Sequence, residues 1–156
     1  AAAPQAWTKG AGSEFNGGAG EGAQKSAGVV QAVQATPGAI GYVEKGFAEQ
    51  AKLPFAQIDS GAGPVELTDE SAAKAIDAAK FAAEGNDLAL DLNSLYGTKE
   101  PGAYPLVLAT YETASAVKSF LTVAADQGQA NLSPAGYVPL PDTFKERLVT
   151  SINAIS

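Results

Sequence analysis

Histidine, cysteine and methionine are absent from the 156 residues, and arginine occurs once, as Arg147. Without His or Cys, the usual zinc, copper and iron–sulfur sites cannot be built. The same absences exclude cysteine proteases, Ser–His–Asp hydrolases and any disulfide framework. No metal and no cofactor is therefore expected. Without Met there is no initiator residue, so the amino terminus is expected to arise by processing or cleavage of something longer. AAAPQAW has neither the basic start nor the apolar run of a signal peptide, which says nothing against export because such signals are removed. Basic residues are also scarce: ten stand against 17 acidic ones, a formal charge of −7. A nucleic-acid binder needs a basic stripe to displace counterions, and none exists, so no nucleic-acid partner is expected. No apolar run approaches the roughly 20 residues that cross a bilayer as a helix.

What is there is enough for a core. Hydrophobic residues make up 46% of the chain, which is not the composition of a disordered segment. The length suits one ordinary domain, at roughly 150 residues each. Residues 10–22, GAGSEFNGGAGEG, form a glycine-dominated loop with Phe15 as its only large apolar anchor. A helix is expected over 23–36, where Val29, Ala32, Val33 and Thr36 fall at i, i+3, i+4 and i+7, until Pro37–Gly38 stops it. A short strand at 39–43 and a brief helix over 44–52 should follow, then a second strand at 54–59. Thr68 is a good N-cap for the next helix, and Asp69 and Glu70 in its first turn face the positive end of the dipole. Ala72, Ile76, Ala79 and Ala83 are its expected buried stripe.

Leu88, Leu90 and Leu92 alternate with polar or small residues, which fits a strand or an extended loop. The Gly97, Pro101 and Gly102 region reads as a turn. PLVLATY, residues 105–111, is the best strand in the chain, since consecutive apolar residues suit a sheet covered on both faces. A helix is expected over 113–127, with Val117, Phe120, Leu121 and Ala124 on one face and Gly128 to end it. The closing unit is an extended YVPLP at 137–141 and a helix from Asp142, cored by Phe144, Leu148, Ile152 and Ile155. Strands mixed with helices of this length point to an α/β protein.

Few groups carry chemistry. A phosphate-gripping nucleotide loop needs glycine immediately before Lys25 and another five residues earlier, but those positions hold Gln24 and Ala19. No strand is evident just before the glycine loop, so a dinucleotide fingerprint fails as well. The loop then reads as a surface connection or, since glycine permits close backbone approach, as a loop beside a ligand or hinge. Asp69–Glu70 is explained by helix capping and the pair Asp87 and Asp91 by solvent exposure. Trp7 and Tyr42, Tyr96, Tyr104, Tyr111 and Tyr137 are scattered, and core or interface filling is expected for each.

Residues 37–50, PGAIGYVEKGFAEQ, resemble a segment of the phosphate-binding subunit of bacterial phosphate ABC importers. The preceding GEGAQKSAGVVQAVQATPG resembles that family's glycine loop and helix, YPLVLATYE its strand returning between lobes, and AGYVPLPDTFKERL its carboxy-terminal turn and last helix. Four such blocks in family order cover nearly the whole chain. The resemblance implies a portion of a two-lobed periplasmic-binding-protein fold of type II, with a mixed sheet and flanking helices. Residues 1–102 would form part of the second lobe, and 103–156 the carboxy-terminal part of the first. It implies inorganic phosphate as ligand, a membrane ABC permease as partner, an extracytoplasmic location with a possible upstream lipid anchor, and no enzymatic activity. The family holds phosphate with Ser/Thr hydroxyls, helix-start amides, an Arg and an Asp. Those ligand motifs are absent, and Arg147 in the final helix does not match the binding arginine, so no phosphate ligand is assigned.

The resemblance therefore implies a carboxy-terminal half that lacks its grip. Such a half is expected to leave apolar surface uncovered and to pair with a complementary fragment or with itself. About ten more residues are expected after Glu112, where strand runs into helix without the usual connector of roughly 2–6 residues. Their omission from this sequence is favoured over a true deletion. Two rivals remain: an extracellular surface or interaction protein, and a hydrolase working with carboxylates alone. No pair among the 17 acids is singled out for the latter.

Overall fold

The computed structural model describes residues 12, 19–110 and 118–155. The chain divides into two compact units, Ala1–Phe55 and Ala56–Ser156. In the first, helix α1 (Lys25–Ala35) packs against the short helix α2 (Lys45–Gln50). Both stand within a residue or two of the ranges expected from apolar spacing and the Pro37–Gly38 stop. The glycine-rich approach enters α1 through Gly20 at φ +88° and Lys25 at φ +58°. Gln34 Nε2 reaches the Ala51 carbonyl at 3.3 Å and ties the end of α1 to the end of α2.

The second unit opens with a two-residue hairpin, β1 (Ile58–Asp59) and β2 (Pro64–Val65), paired Ile58 to Val65 and Asp59 to Pro64. Asp59 Oδ1 accepts from the N–H groups of Gly61 and Gly63 at 2.7 and 3.1 Å. Both glycines have positive φ, which a side chain would resist. Helix α3 (Asp69–Asp77) starts at the predicted cap. Thr68 Oγ1 accepts from Ser71 N–H, and Ser71 Oγ accepts from Thr68 N–H, a closed capping box. Ala72 and Ala75 are fully buried, while Ala83 lies beyond the helix and is exposed. The buried stripe is therefore shorter than the sequence suggested, because the helix ends at Asp77.

A single antiparallel bridge joins Phe81 to Leu90, and Leu90 is buried. The alternation at 88–92 stops there, because Asp91 caps helix α4 (Leu92–Tyr96) by accepting from Asn93 N–H at 3.0 Å. Leu92 is consequently exposed, and Leu95 is the deepest large side chain. Helix α5 (Lys118–Ala125) gives way to two 3-10 turns, Gln127–Asn131 and Ser133–Ala135, before α6 (Asp142–Asn153). Leu121 and Ala124 turn inward on α5 as expected, joined by the buried Ala125, while Phe120 departs from the expected face at 65% exposed. Val117, Tyr111, Trp7, Phe15 and the junction after Glu112 lie outside the described residues. The core gathers Ala75, Leu90, Leu95, Ala103 and Phe144, flanked by Phe81, Val107 and Leu148 among others. Phe144 and Ile152 on α6 are buried as expected.

The expected mixed sheet does not form among the described residues. Neither 39–43 nor 105–110 enters a ladder, and 54–59 contributes only Ile58–Asp59. At 105–110 the burial alternates: Val107 and Ala109 lie against the core, while Leu106 and Leu108 are 63% and 85% exposed. A strand is fixed by its neighbours as much as by its own side chains. The apolar run correctly marks a segment suited to a sheet, but no described segment pairs with it.

Candidate functional site

Three places could serve a ligand, and each is defined by its own side chains. The first is the start of α1, where a glycine-rich approach meets the positive end of a helix. Gln24 supplies no side-chain cap. Ser26, in the first turn, hydrogen-bonds instead to the Glu44 carboxylate, and this bond together with Glu44's own backbone N–H holds that acid below its ordinary pKa. The Ser26 hydroxyl is thus engaged with a carboxylate of the protein.

The second is an open groove of about 450 Å³ in the second unit. Ala73 and the Val138–Leu140 stretch line it, and Asp69, Glu70, Asp77 and Asp142 ring it. Two hydroxyls that face these acids donate to them, Ser133 to Asp69 and Thr143 to Asp77. Like charges about 4 Å apart repel by roughly 4 kcal/mol at an effective dielectric near 20. Four carboxylates ring the groove, and Asp142 among them is paired with Lys145 at 3.6 Å, so its acidic lining disfavours an anion. Asp69 and Glu70 therefore do more than favour the helix dipole: Asp69 anchors the Ser133 turn to α3.

The third is Arg147, the one guanidinium. Its Nε donates to the Asp87 carbonyl at 3.1 Å, and its Nη2 donates to the carbonyls of Ala83 and Asp87 at 2.6 and 2.7 Å. The guanidinium carbon also lies 3.8 Å from the Phe81 ring centroid. Arg147 clasps the loop after α3 and is engaged there as a structural clamp. Asp87 accepts from Ala89 N–H at 2.9 Å and Asp91 caps α4. This pair shapes backbone turns, a role that exposure alone did not reveal; the Asp91-x-Asn93 spacing before α4 was its sequence signal.

The remaining aromatic candidates divide. Tyr104 is buried, and that burial raises its phenol above the ordinary value. Tyr42, Tyr96 and Tyr137 are 77%, 41% and 64% exposed, so none of the three fills a core. Among the described residues, no group of three Asp or Glu side chains could hold a metal ion, and no helix is long and apolar enough to cross a membrane.

Kinship carries the identification. Residues 5–127 match the model of the PBP superfamily domain. The chain belongs to that superfamily. It is 45% identical, over all of its length, to phosphate-binding protein PstS 3 of Mycobacterium tuberculosis (strain H37Rv), of which it covers 45%. It is 44% identical to phosphate-binding protein PstS 2 of the same strain, with 97% of the chain and 44% of the relative covered. Phosphate-binding protein PstS of Methanocaldococcus jannaschii is 31% identical over 82% of the chain and 38% of its own length. The chain thus spans a little under half the length of these relatives. The PstS 3 match runs over 168 positions against 156 residues here, so that relative carries residues this chain lacks.

Proposed function

We propose that these residues are the carboxy-terminal portion of a solute-binding protein that captures inorganic phosphate for an ABC importer. The observation that carries this reading is identity of 45% along the entire chain to a protein named for binding phosphate. The site geometry supports its corollary, that most of the phosphate grip lies in the other half. The only arginine is clamped to carbonyls, the acidic groove repels anions, and the hydroxyl at the start of α1 faces Glu44.

In the complete protein, the two-lobed type II fold and its mixed sheet would assemble from both halves. Residues 1–102 then belong to the second lobe and 103–156 to the first. The compact unit 56–156 runs across that boundary here, with Tyr104 N–H bonded to the Ser71 carbonyl at 2.9 Å, so the lobes need the whole protein to separate. Closure of two lobes on the ligand is a hinge motion that presents it to a membrane permease, which places the protein outside the cytoplasm and makes it a carrier with no catalytic step.

Calorimetric titration of phosphate tests both parts. The complete protein containing this chain should bind phosphate saturably at one site, and the 156-residue chain alone should show no micromolar binding. Absence of binding by the complete protein would overturn the function, and micromolar binding by the chain alone would overturn the missing grip.

A further inference from the structure

Helix α3 and the Val138–Pro141 stretch wall a groove of about 450 Å³, to which Ala73, Val138, Pro139 and Leu140 give an apolar lining. Two ties hold the walls together at its ends: Ser133 donates to Asp69 at the start of α3, and Thr143 donates to Asp77 at its finish. The carboxylates gather at the same two ends. Asp69 and Glu70 stand at one, and Asp77 and Asp142 at the other. Glu70 and Asp77 are seven residues apart on one face of α3, which separates them by about 10 Å along the axis. Ala73, one turn after Glu70, lies between them on that face. Among the described residues that line the groove, none is basic. Lys145 reaches Asp142 from outside at 3.6 Å, and Lys74 extends towards Gly102. No three of these acids come close enough together to hold a metal ion. The charge is thus divided between two ends of an apolar channel, which complements a cationic occupant with two separated heads.

We infer that this groove docks an extended segment of a protein partner, one that carries two Lys or Arg residues three positions apart with apolar residues between them. In the polyproline II conformation three residues rise about 9 Å and return to the same side of the segment. The two cationic heads then meet the two acidic ends, and the residues between them cover Ala73 and Leu140. Pairing through the backbone is disfavoured on the Val138–Pro141 wall. Pro139 and Pro141 have no N–H to offer, and Leu140 N–H is taken by Gln129 Oε1 at 2.9 Å. Recognition therefore rests on side chains, by charge at the ends and apolar contact in the middle. A surface for cations is opposite in charge to phosphate capture, so the proposal goes beyond that reading and stands without it.

Fluorescence anisotropy with three rhodamine-labelled peptides tests this on the complete protein containing this chain, at low ionic strength. Their cores are Lys-Pro-Leu-Lys, the charge-matched Lys-Lys-Pro-Leu with its lysines adjacent, and Glu-Pro-Leu-Glu. The first should bind saturably and about fivefold or more tighter than the second, a difference of one well-placed ion pair. The third should not bind, and added salt should weaken the first. Glu70→Gln combined with Asp142→Asn removes one carboxylate from each end and should bring the two lysine peptides to equal affinity. Ala73→Leu, which changes no charge, should weaken the first peptide by filling the channel. Circular dichroism confirms that each variant is folded. Absence of saturable binding by the unmodified protein overturns the proposal. Equal affinity of the unmodified protein for the two lysine peptides does so as well, since it would reduce the effect to net charge. A spacing preference that survives the double substitution places the site elsewhere and also overturns it.

Discussion

Arg147 on α6 and Phe81 in the loop after α3 are stacked, the guanidinium carbon 3.8 Å from the ring centroid. The Phe81 ring in turn lies 5.6 Å from that of Phe144, centroid to centroid. One cation therefore joins a loop whose own ladder amounts to a single bridge to the helix that closes the chain. Ser151 Oγ adds a parallel tie by donating to the Asn86 carbonyl at 2.9 Å.

Arg147→Ala should destabilise the second unit by about 1–3 kcal/mol, since it removes charge-assisted bonds to two carbonyls and a cation–π contact. Arg147→Lys should recover less than half of that, because an ammonium cannot fork to both carbonyls while lying flat on the ring. Urea unfolding of the three proteins measures the differences. Equal stability of all three would show that the clamp contributes nothing.

The capping box of α3 gives a second expectation. Ser71 is 7% exposed, and its Oγ lies 2.7 Å from the Glu66 carbonyl and 2.9 Å from Thr68 N–H. Ser71→Ala strips both partners of a buried bond and should cost about 1–3 kcal/mol. Thr68→Ala loses one cap and should cost nearer 1 kcal/mol. The order of the two thermal midpoints is the check, with Ser71→Ala the lower.

Local signals in the sequence were legible because their physics is local. Thr68, the Pro37–Gly38 stop and the Phe144, Leu148 and Ile152 spacing each act within a few residues, and α1, α3 and α6 follow them. The strands at 39–43 and 105–111 were read from apolar content, which needs a distant partner to become a sheet, and no described residue supplies one. Phe120 failed similarly: its helical spacing fits a buried face, but nothing described covers it. The contacts of the candidate site were less legible. Sequence could not show that Arg147 would be occupied by Ala83 and Asp87, because those carbonyls are 60 or more residues away.

Tyr104 sets a pH dependence. Burial raises its phenol above the ordinary value of 10.0 by disfavouring the anion. A folded-state pKa above the unfolded one contributes stability that is fully present below about pH 10. It is lost as pH rises through the folded value. The difference between the phenolate absorbance titrations of the native chain and of Tyr104→Phe should therefore be a component that ionises above pH 10. Stability should fall above pH 10, and Tyr104→Phe should flatten that fall. An unchanged slope in Tyr104→Phe would place its origin elsewhere.

Gly41, inside the segment that carries the family resemblance, offers the sharpest test of packing in the first unit. A Cβ built there would lie 2.9 Å from Val33 Cγ2 and 3.0 Å from Val29 Cγ1. Both contacts are too short, and β-branched valines on a helix have little rotamer freedom to retreat. Gly41→Ala should thus cost about 1–3 kcal/mol by overpacking. Gly12→Ala is the control, since nothing among the described residues lies within 4 Å of its built Cβ. If steric conflict is the cause, Val33→Ala should relieve it, because that change deletes the nearer methyl. The double mutant would then be more stable than the sum of the single changes predicts, by about 0.5 kcal/mol or more. Exchange of the α1 amides reports the local stability in each protein. Strict additivity would mean that the cost of Gly41→Ala does not come from contact with Val33.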